Sequence, residues 1–213
     1  MNILQEISEN LQKGKAKVVS ELVQKALDDN HNPEIILNEG LLAGMDVIGE
    51  KFKNNEVYVP EVLIAARAMN NGVAILKPHL VKSGVKPIGK VAIGTVKGDQ
   101  HDIGKNLVRL MLEGKGVEVI DLGANVSAEK FYDAYKAENV QIVACSSLLT
   151  TTMNEMKNVI DFFSEKGDRD KVVFMVGGAP ITESFCKAIG ADYYAEDAAT
   201  AADLAKQILE TVK

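Results

Sequence analysis

Val91-Ala92-Ile93-Gly94-Thr95-Val96-Lys97-Gly98-Asp99-Gln100-His101-Asp102-Ile103-Gly104 reads as a buried strand, a short polar loop and the start of a helix whose pattern sets in near Lys105. In an open parallel sheet the carboxyl end of a strand is where ligands bind. The loop at that position carries His101 two residues after Asp99. An imidazole whose second nitrogen is held by a carboxylate is a pre-oriented metal ligand or a proton-transfer group.

Downstream of this stretch the chain alternates short apolar runs with helical patterns. Strands are expected over residues 91–96, 117–122, 141–146, 172–176 and 191–195, with helices starting near Gly104, Ser127, Thr150, Thr182 and Asp197. That alternation predicts an α/β fold with a doubly wound, Rossmann-like parallel sheet of the flavodoxin type. In its common order, 2-1-3-4-5, the first, third and fourth strands are neighbours, so their carboxyl-end loops meet. The first loop offers Asp99 and His101. The third offers Ser146-Ser147-Leu148-Leu149-Thr150-Thr151-Thr152, rich in hydroxyls, and the fourth offers Gly177-Gly178-Ala179, where missing side chains let a ligand approach. A base with its orienter, a row of hydroxyls and a glycine floor make a site for something large and polar.

Upstream the chain reads as helix. Ile3, Leu4, Ile7 and Leu11 recur at helical spacing, followed by a second helix with Val18, Val19, Leu22, Val23, Ala26 and Leu27 on one face. A polar break at residues 28–32 precedes Pro33, which suits a first helical turn. The third helix presents Ile36, Leu37, Leu41, Met45, Ile48 and Phe52, and the fourth Val62, Leu63, Ala66, Met69, Val73 and Leu76. Four amphipathic helices with short connections make a small bundle. A linker is expected over residues 81–89, and the domains divide as 1–86 and 87–213.

Composition narrows the function classes. With 213 residues, 46% hydrophobic and 25% charged, the chain has the make-up of a globular protein. A formal charge of −6 argues against a nucleic-acid or anionic-membrane surface. No apolar segment approaches the roughly 20 residues that span a bilayer. The first residues, Met1-Asn2-Ile3-Leu4-Gln5-Glu6, lack a basic region followed by an apolar core, and the two cysteines have no metal-type spacing. A cytoplasmic location is expected.

Several single residues have plain structural explanations. An aspartate at a helix start is more often a cap, and Asp102 fits that role. Ser/Thr runs often cap helices, and Gly-Gly after a strand is commonly a turn. Cys145 and Cys186 read as buried small hydrophobes. His31 and His79 read as surface residues, which leaves His101 as the only histidine in the three loops. There is no phosphate-binding P-loop. Asp121 stands where a dinucleotide site would place its acidic residue, but the glycines are misplaced for that fingerprint.

Asp99-x-His101-x-x-Gly104, then Ser146-x-Leu148, then Gly177-Gly178 resembles the cobalamin-binding signature of corrinoid-dependent methyltransferases, in the family's order and comparable spacing. Gly44-Met45-x-x-Ile48-Gly49-x-x-Phe52, Tyr58-Val59-Pro60-Glu61-Val62 and Ala66-Arg67-Ala68-Met69 resemble the helical cap that precedes this module in methionine synthase and in small corrinoid proteins. Nearly the whole chain is covered.

The resemblance implies cobalamin bound with its own benzimidazole displaced and His101 as the lower ligand of cobalt. Asp99 and Thr152 would complete a ligand relay, with threonine where many relatives have serine. Gly98, Gln100, Asp102, Ile103 and Gly104 would complete the ligand loop. Ser146, Leu148 and Thr150 would line the channel for the nucleotide tail, and Gly177 and Gly178 would leave it room. Tyr58, where methionine synthase has Phe, would shield the upper face with Val62 and Met69, and the linker would serve as the hinge on which the cap swings away; Val62 and Met69 also fit ordinary bundle core.

The implied function is that of a methyl carrier, with methylcobalamin as the loaded form. A donor-specific methyltransferase would load it, a second would transfer the methyl group to tetrahydrofolate or a thiol such as coenzyme M, and a reductive activase would rescue oxidised cobalt. A cobalamin-dependent sensor and the small cobalamin-binding subunit of a mutase are the other two readings.

Overall fold

The structure is a computed structural model, and it describes residues 2–84 and 86–211. The chain divides into two compact units, Met1–Pro87 with Gly114–Gly116, and Ile88–Glu113 with Val117–Lys213.

In the helical unit, α1 (Ile3–Gln12) starts at Asn2, whose side chain accepts the Leu4 N–H at 3.3 Å, and buries Leu4, Ile7 and Leu11. Helix α2 (Ala16–Asp28) buries Val19, Val23 and Ala26. The third expected helix is continuous but not uniform. It opens as α3 (Pro33–Ile35), capped by Asn32 with Pro33 in the first turn. It then widens into a π-helix over Ile36–Leu42 and closes as α4 (Ala43–Lys53). The buried residues explain the widening: Ile36 and Leu41 are five apart, the π repeat, and Met45 and Ile48 follow at α spacing.

Helix α5 (Val59–Lys82) begins where the Glu61 carboxylate accepts the Tyr58 N–H at 3.0 Å. It runs through Pro78 to Lys82, so Val81 and Lys82, expected in the linker, form its last turn.

In the α/β unit, β1 (Lys90–Thr95), β2 (Glu118–Asp121), β3 (Ile142–Ser146), β4 (Val173–Gly177) and β5 (Tyr193–Ala195) form one sheet. Its order is β2-β1-β3-β4-β5 and every pairing is parallel, as the alternation predicts. The connecting helices are α6 (Ile103–Gly114), α7 (Ala128–Glu138), α8 (Glu155–Glu165), α9 (Glu183–Ile189) and α10 (Ala198–Thr211). On one face the core gathers Phe131, Phe163 and Phe174, with the Phe163 and Phe174 rings meeting edge-on at 5.0 Å. Cys145 and Cys186 are buried free thiols, as expected.

Two features position the site. Thr95, Ser146, Gly177 and Ala195 are paired in register at the carboxyl end of the sheet, so the loops after β1, β3 and β4 leave from adjacent points. Helix α8 starts at Glu155, not near Thr150, because residues 150–154 form turns that carry Thr152 inward.

Candidate functional site

Asp99 is the centre of the site and has no solvent exposure. The turn that buries it uses Gly98 at φ +82°, a backbone conformation that favours glycine. The methyl group of Thr152 occupies the space beside Gly98, 3.3 Å from where a Cβ would stand. This gives the threonine a packing role that serine could not fill.

Oδ1 of Asp99 accepts the His101 N–H at 3.0 Å and the His101 ring Nδ1–H at 2.7 Å. Oδ2 accepts the main-chain N–H groups of Leu148 at 2.7 Å and Leu149 at 3.2 Å, and the hydroxyls of Thr152 at 3.2 Å and Ser147 at 3.3 Å. Burial alone would raise the pKa of this carboxyl. The N–H groups of His101 and Leu148, the His101 ring and the Leu149 N–H outweigh it and hold the group well below the usual carboxylate range. Asp99 is therefore an anion, and an anion only accepts, so the proton between it and His101 sits on Nδ1. In the neutral ring Nε2 then carries the lone pair.

The His101 side chain is 52% exposed. Around it three apolar residues face solvent, Ile103 at 78%, Leu148 at 45% and Leu149 at 37% exposure. Among the described residues no group of three His, Cys, Asp or Glu could hold a metal ion. A single imidazole nitrogen cannot retain a bare ion. It could be one ligand of a metal that arrives with its other donors as part of a larger cofactor, and the exposed leucines and isoleucine would suit the apolar part of such a group.

The loop is fixed from below. The Thr95 hydroxyl, fully buried, donates to the His101 carbonyl at 3.0 Å. From the loop after β2, the Asn125 side-chain oxygen accepts the Gly98 N–H at 2.7 Å while the Asn125 main-chain N–H donates to the Asp99 carbonyl at 2.9 Å. Asn125 adopts φ +54°, a conformation that Asn tolerates better than most residues. Asp102 acts at the helix start, but through Asn106: its carbonyl accepts the Asn106 N–H and its carboxylate the Asn106 side chain.

The structure brings Asp99, His101, Leu148 and Thr152 into one network, and it adds residues that sequence reading missed. Ser147, fully buried, hydrogen-bonds Asp99 and Thr152, whereas Ser146 lies half-buried outside that network. Adjacent serines are indistinguishable by motif spacing, and only strand alternation could have separated them. Thr95 and Asn125 carry no motif signal of their own. Gly98, Gln100, Ile103, Gly104 and Thr150 lie on or beside the loops as expected, with Gln100, Gly104 and Thr150 exposed.

Gly178 departs from expectation in its reason. At φ +122° a Cβ there would land on the Ser147 carbonyl oxygen, so its missing side chain makes room for the β3 loop. Gly177 accepts the Ser147 N–H through its carbonyl at 3.2 Å. Asp121 is engaged by Lys105 and Arg109, which removes it from any ribose-binding role. In the helical unit, Tyr58 is 64% exposed, whereas Val62 and Met69 are fully buried on the α5 face that also holds Ala65, Ala66 and Leu76. His31 donates Nδ1–H to the Ala26 carbonyl, and His79 is exposed.

An α/β sheet presenting a carboxylate-held imidazole from the loop after β1 defines a class of metal-cofactor-binding proteins, and comparison with known proteins agrees. Residues 89–203 match the B12 binding domain, and residues 3–77 match a second B12 binding domain model. A corrinoid protein of Desulfitobacterium hafniense is 39% identical over 98% of both chains. The dimethylamine corrinoid protein of Methanosarcina barkeri is 42% identical over 97% of both. Among solved structures, the methanol:cobalamin methyltransferase complex of Methanosarcina barkeri matches with a TM-score of 0.88 and 31% identity, over 97% of this chain and 79% of that one. The chain belongs to the B12-binding family, and its cofactor is cobalamin.

Proposed function

We propose that this protein carries a methyl group on the cobalt of cobalamin between a methyltransferase that loads it and a second that unloads it. The observation that carries this reading is the half-exposed imidazole of His101, held at Nδ1 by a fully buried carboxylate and flanked by exposed apolar side chains. Relatives named as dimethylamine and trimethylamine corrinoid proteins, and a structural neighbour titled as a methanol:cobalamin methyltransferase complex, support it. They favour a carrier over a cobalamin sensor or a mutase subunit.

When bound, cobalamin supplies a metal centre that accepts a methyl group from one partner and yields it to another. This chain's residues hold and tune that centre. His101 Nε2 would ligate the cobalt, and Asp99 would fix the tautomer and direction of that imidazole. Thr152 and Ser147 donate to the far oxygen of Asp99, so they moderate how strongly that carboxylate pulls on Nδ1–H. Ile103, Leu148 and Leu149 supply an apolar rest for the ring system. Ser146, Leu148, Thr150 and Gly177 would serve the nucleotide tail, and Tyr58 the upper face.

The donor-specific enzyme, an acceptor enzyme using tetrahydrofolate or a thiol such as coenzyme M, and a reductive activase complete the system. It works in the cytoplasm, in keeping with the finding that no described helix is long and apolar enough to cross a membrane.

The test is reconstitution with cobalamin and electron paramagnetic resonance of the Co(II) form. Coupling to a protein imidazole nitrogen is expected in the parent and not in His101→Ala. Retention of the vitamin's own benzimidazole on cobalt in the parent would overturn the reading. Loading assays with methylamines and with methanol, each beside its own methyltransferase, then identify the donor.

A further inference from the structure

We infer that Lys105, itself buried, is a positioning residue for His101, acting through its ion pair with Asp121 at the surface end of β2. The inference rests on the reading of His101 as the metal ligand and adds what keeps that ligand aimed.

Lys105 is 1% exposed, at the start of α6 and four residues beyond His101. Its ammonium lies 2.5 Å from Asp121 Oδ1 at the end of β2 and 2.8 Å from Asn106 Oδ1. A buried lysine is an expensive way to fill space, since an apolar side chain of similar volume commonly serves stability as well or better. What an ion pair adds is direction. Here two hydrogen-bonded routes run from it, one to the His101 carbonyl and one to the next residue, Asp102.

On one route, Lys105 holds Asn106, and the Asn106 side chain donates to Asp102 at 3.0 Å, the residue directly after His101. On the other, Asp121 Oδ1 accepts the Gly123 N–H at 2.9 Å, and the Gly123 carbonyl accepts the Thr95 N–H at 3.0 Å. Thr95 then donates its hydroxyl to the His101 carbonyl at 3.0 Å. The His101 carbonyl and the side chain of the next residue are thus both tied to groups that share one anchor. Asp99 fixes the ring, and Lys105 fixes the backbone that carries the ring.

The test uses the full chain without cofactor, labelled with 15N-histidine, and follows exchange of the His101 Nδ1–H with water. In Lys105→Met that exchange is expected to rise about tenfold as the loop opens locally more often. Circular dichroism and a thermal melt run alongside. A merely structural role would lower the melting temperature and leave the exchange of the folded protein unchanged, and that result would overturn the inference. Should Lys105→Met not fold, the double variant Thr95→Val/Asn106→Ala decides. It cuts both routes and keeps the ion pair, so faster exchange upholds the inference and unchanged exchange ends it. Because the readout needs no cobalamin, it is separate from the functional reading, which the Co(II) spectrum of the unaltered protein judges by itself.

Discussion

The loop after β1 and the loop after β3 both end at Asp99, and they serve it in opposite ways. The first provides an acid and an imidazole, groups that only particular side chains carry. The second provides two main-chain N–H groups, from Leu148 and Leu149, and two hydroxyls. Any residue but proline could supply those N–H groups, so what the second loop contributes is the path of its backbone. The direction of the imidazole therefore depends as much on where a neighbouring chain runs as on the motif that announces it.

That path is the most sensitive point of the comparison. Gly178→Ala would place a Cβ on the Ser147 carbonyl oxygen at a backbone angle of +122°. It is expected to cost about 4 kcal/mol in urea unfolding. A loss below about 1 kcal/mol would show the β3 loop free to give way, and the contrast between the loops would fail.

Asp99→Asn comes next, because it leaves buried donors facing an amide that can no longer accept them all. About 3 kcal/mol is expected at neutral pH. The carboxyl is held below its ordinary pKa in the folded protein. Its contribution is therefore complete above the unfolded-state value and is lost as pH falls through the lowered one. The gap between parent and variant should be constant above about pH 5 and close below about pH 4, as measured by urea melts across pH. A gap that ignores pH would mean that ionisation of Asp99 does not hold the two loops together.

The smallest effects sharpen the comparison inside one loop. Ser147→Ala removes a buried hydroxyl from the network and should cost about 1 kcal/mol. Ser146→Ala should stay within about 0.5 kcal/mol. Equal losses in the same melts would erase the distinction between the two serines.

Much of this was legible in the sequence, for identifiable reasons. Short apolar runs alternating with helical patterns fix the parallel sheet and its order, and Asp99 and His101 stand out by type and spacing, whereas Thr152 was singled out only through the family resemblance. What escaped were positions where tertiary demand overrides local pattern. The Ser/Thr run after β3 looks like a helix start at Thr150, yet Thr152 turns inward to Asp99, and α8 waits until Glu155. The π-helix over Ile36–Leu42 was visible only as a five-residue step between Ile36 and Leu41, easily taken for slack in an α pattern. Lys105, beside a loop glycine, carries no local signal of the burial that the structure shows.

Cys145 lies on β3, one residue before the strand's end, and is only 4% exposed. Burial pushes its thiol up to about 12. A thiolate there would be a soft nucleophile in a protein whose proposed partners handle electrophilic methyl groups. Kept protonated and out of reach, the sulfur cannot divert alkyl groups onto the polypeptide itself, so repeated turnover need not inactivate the carrier.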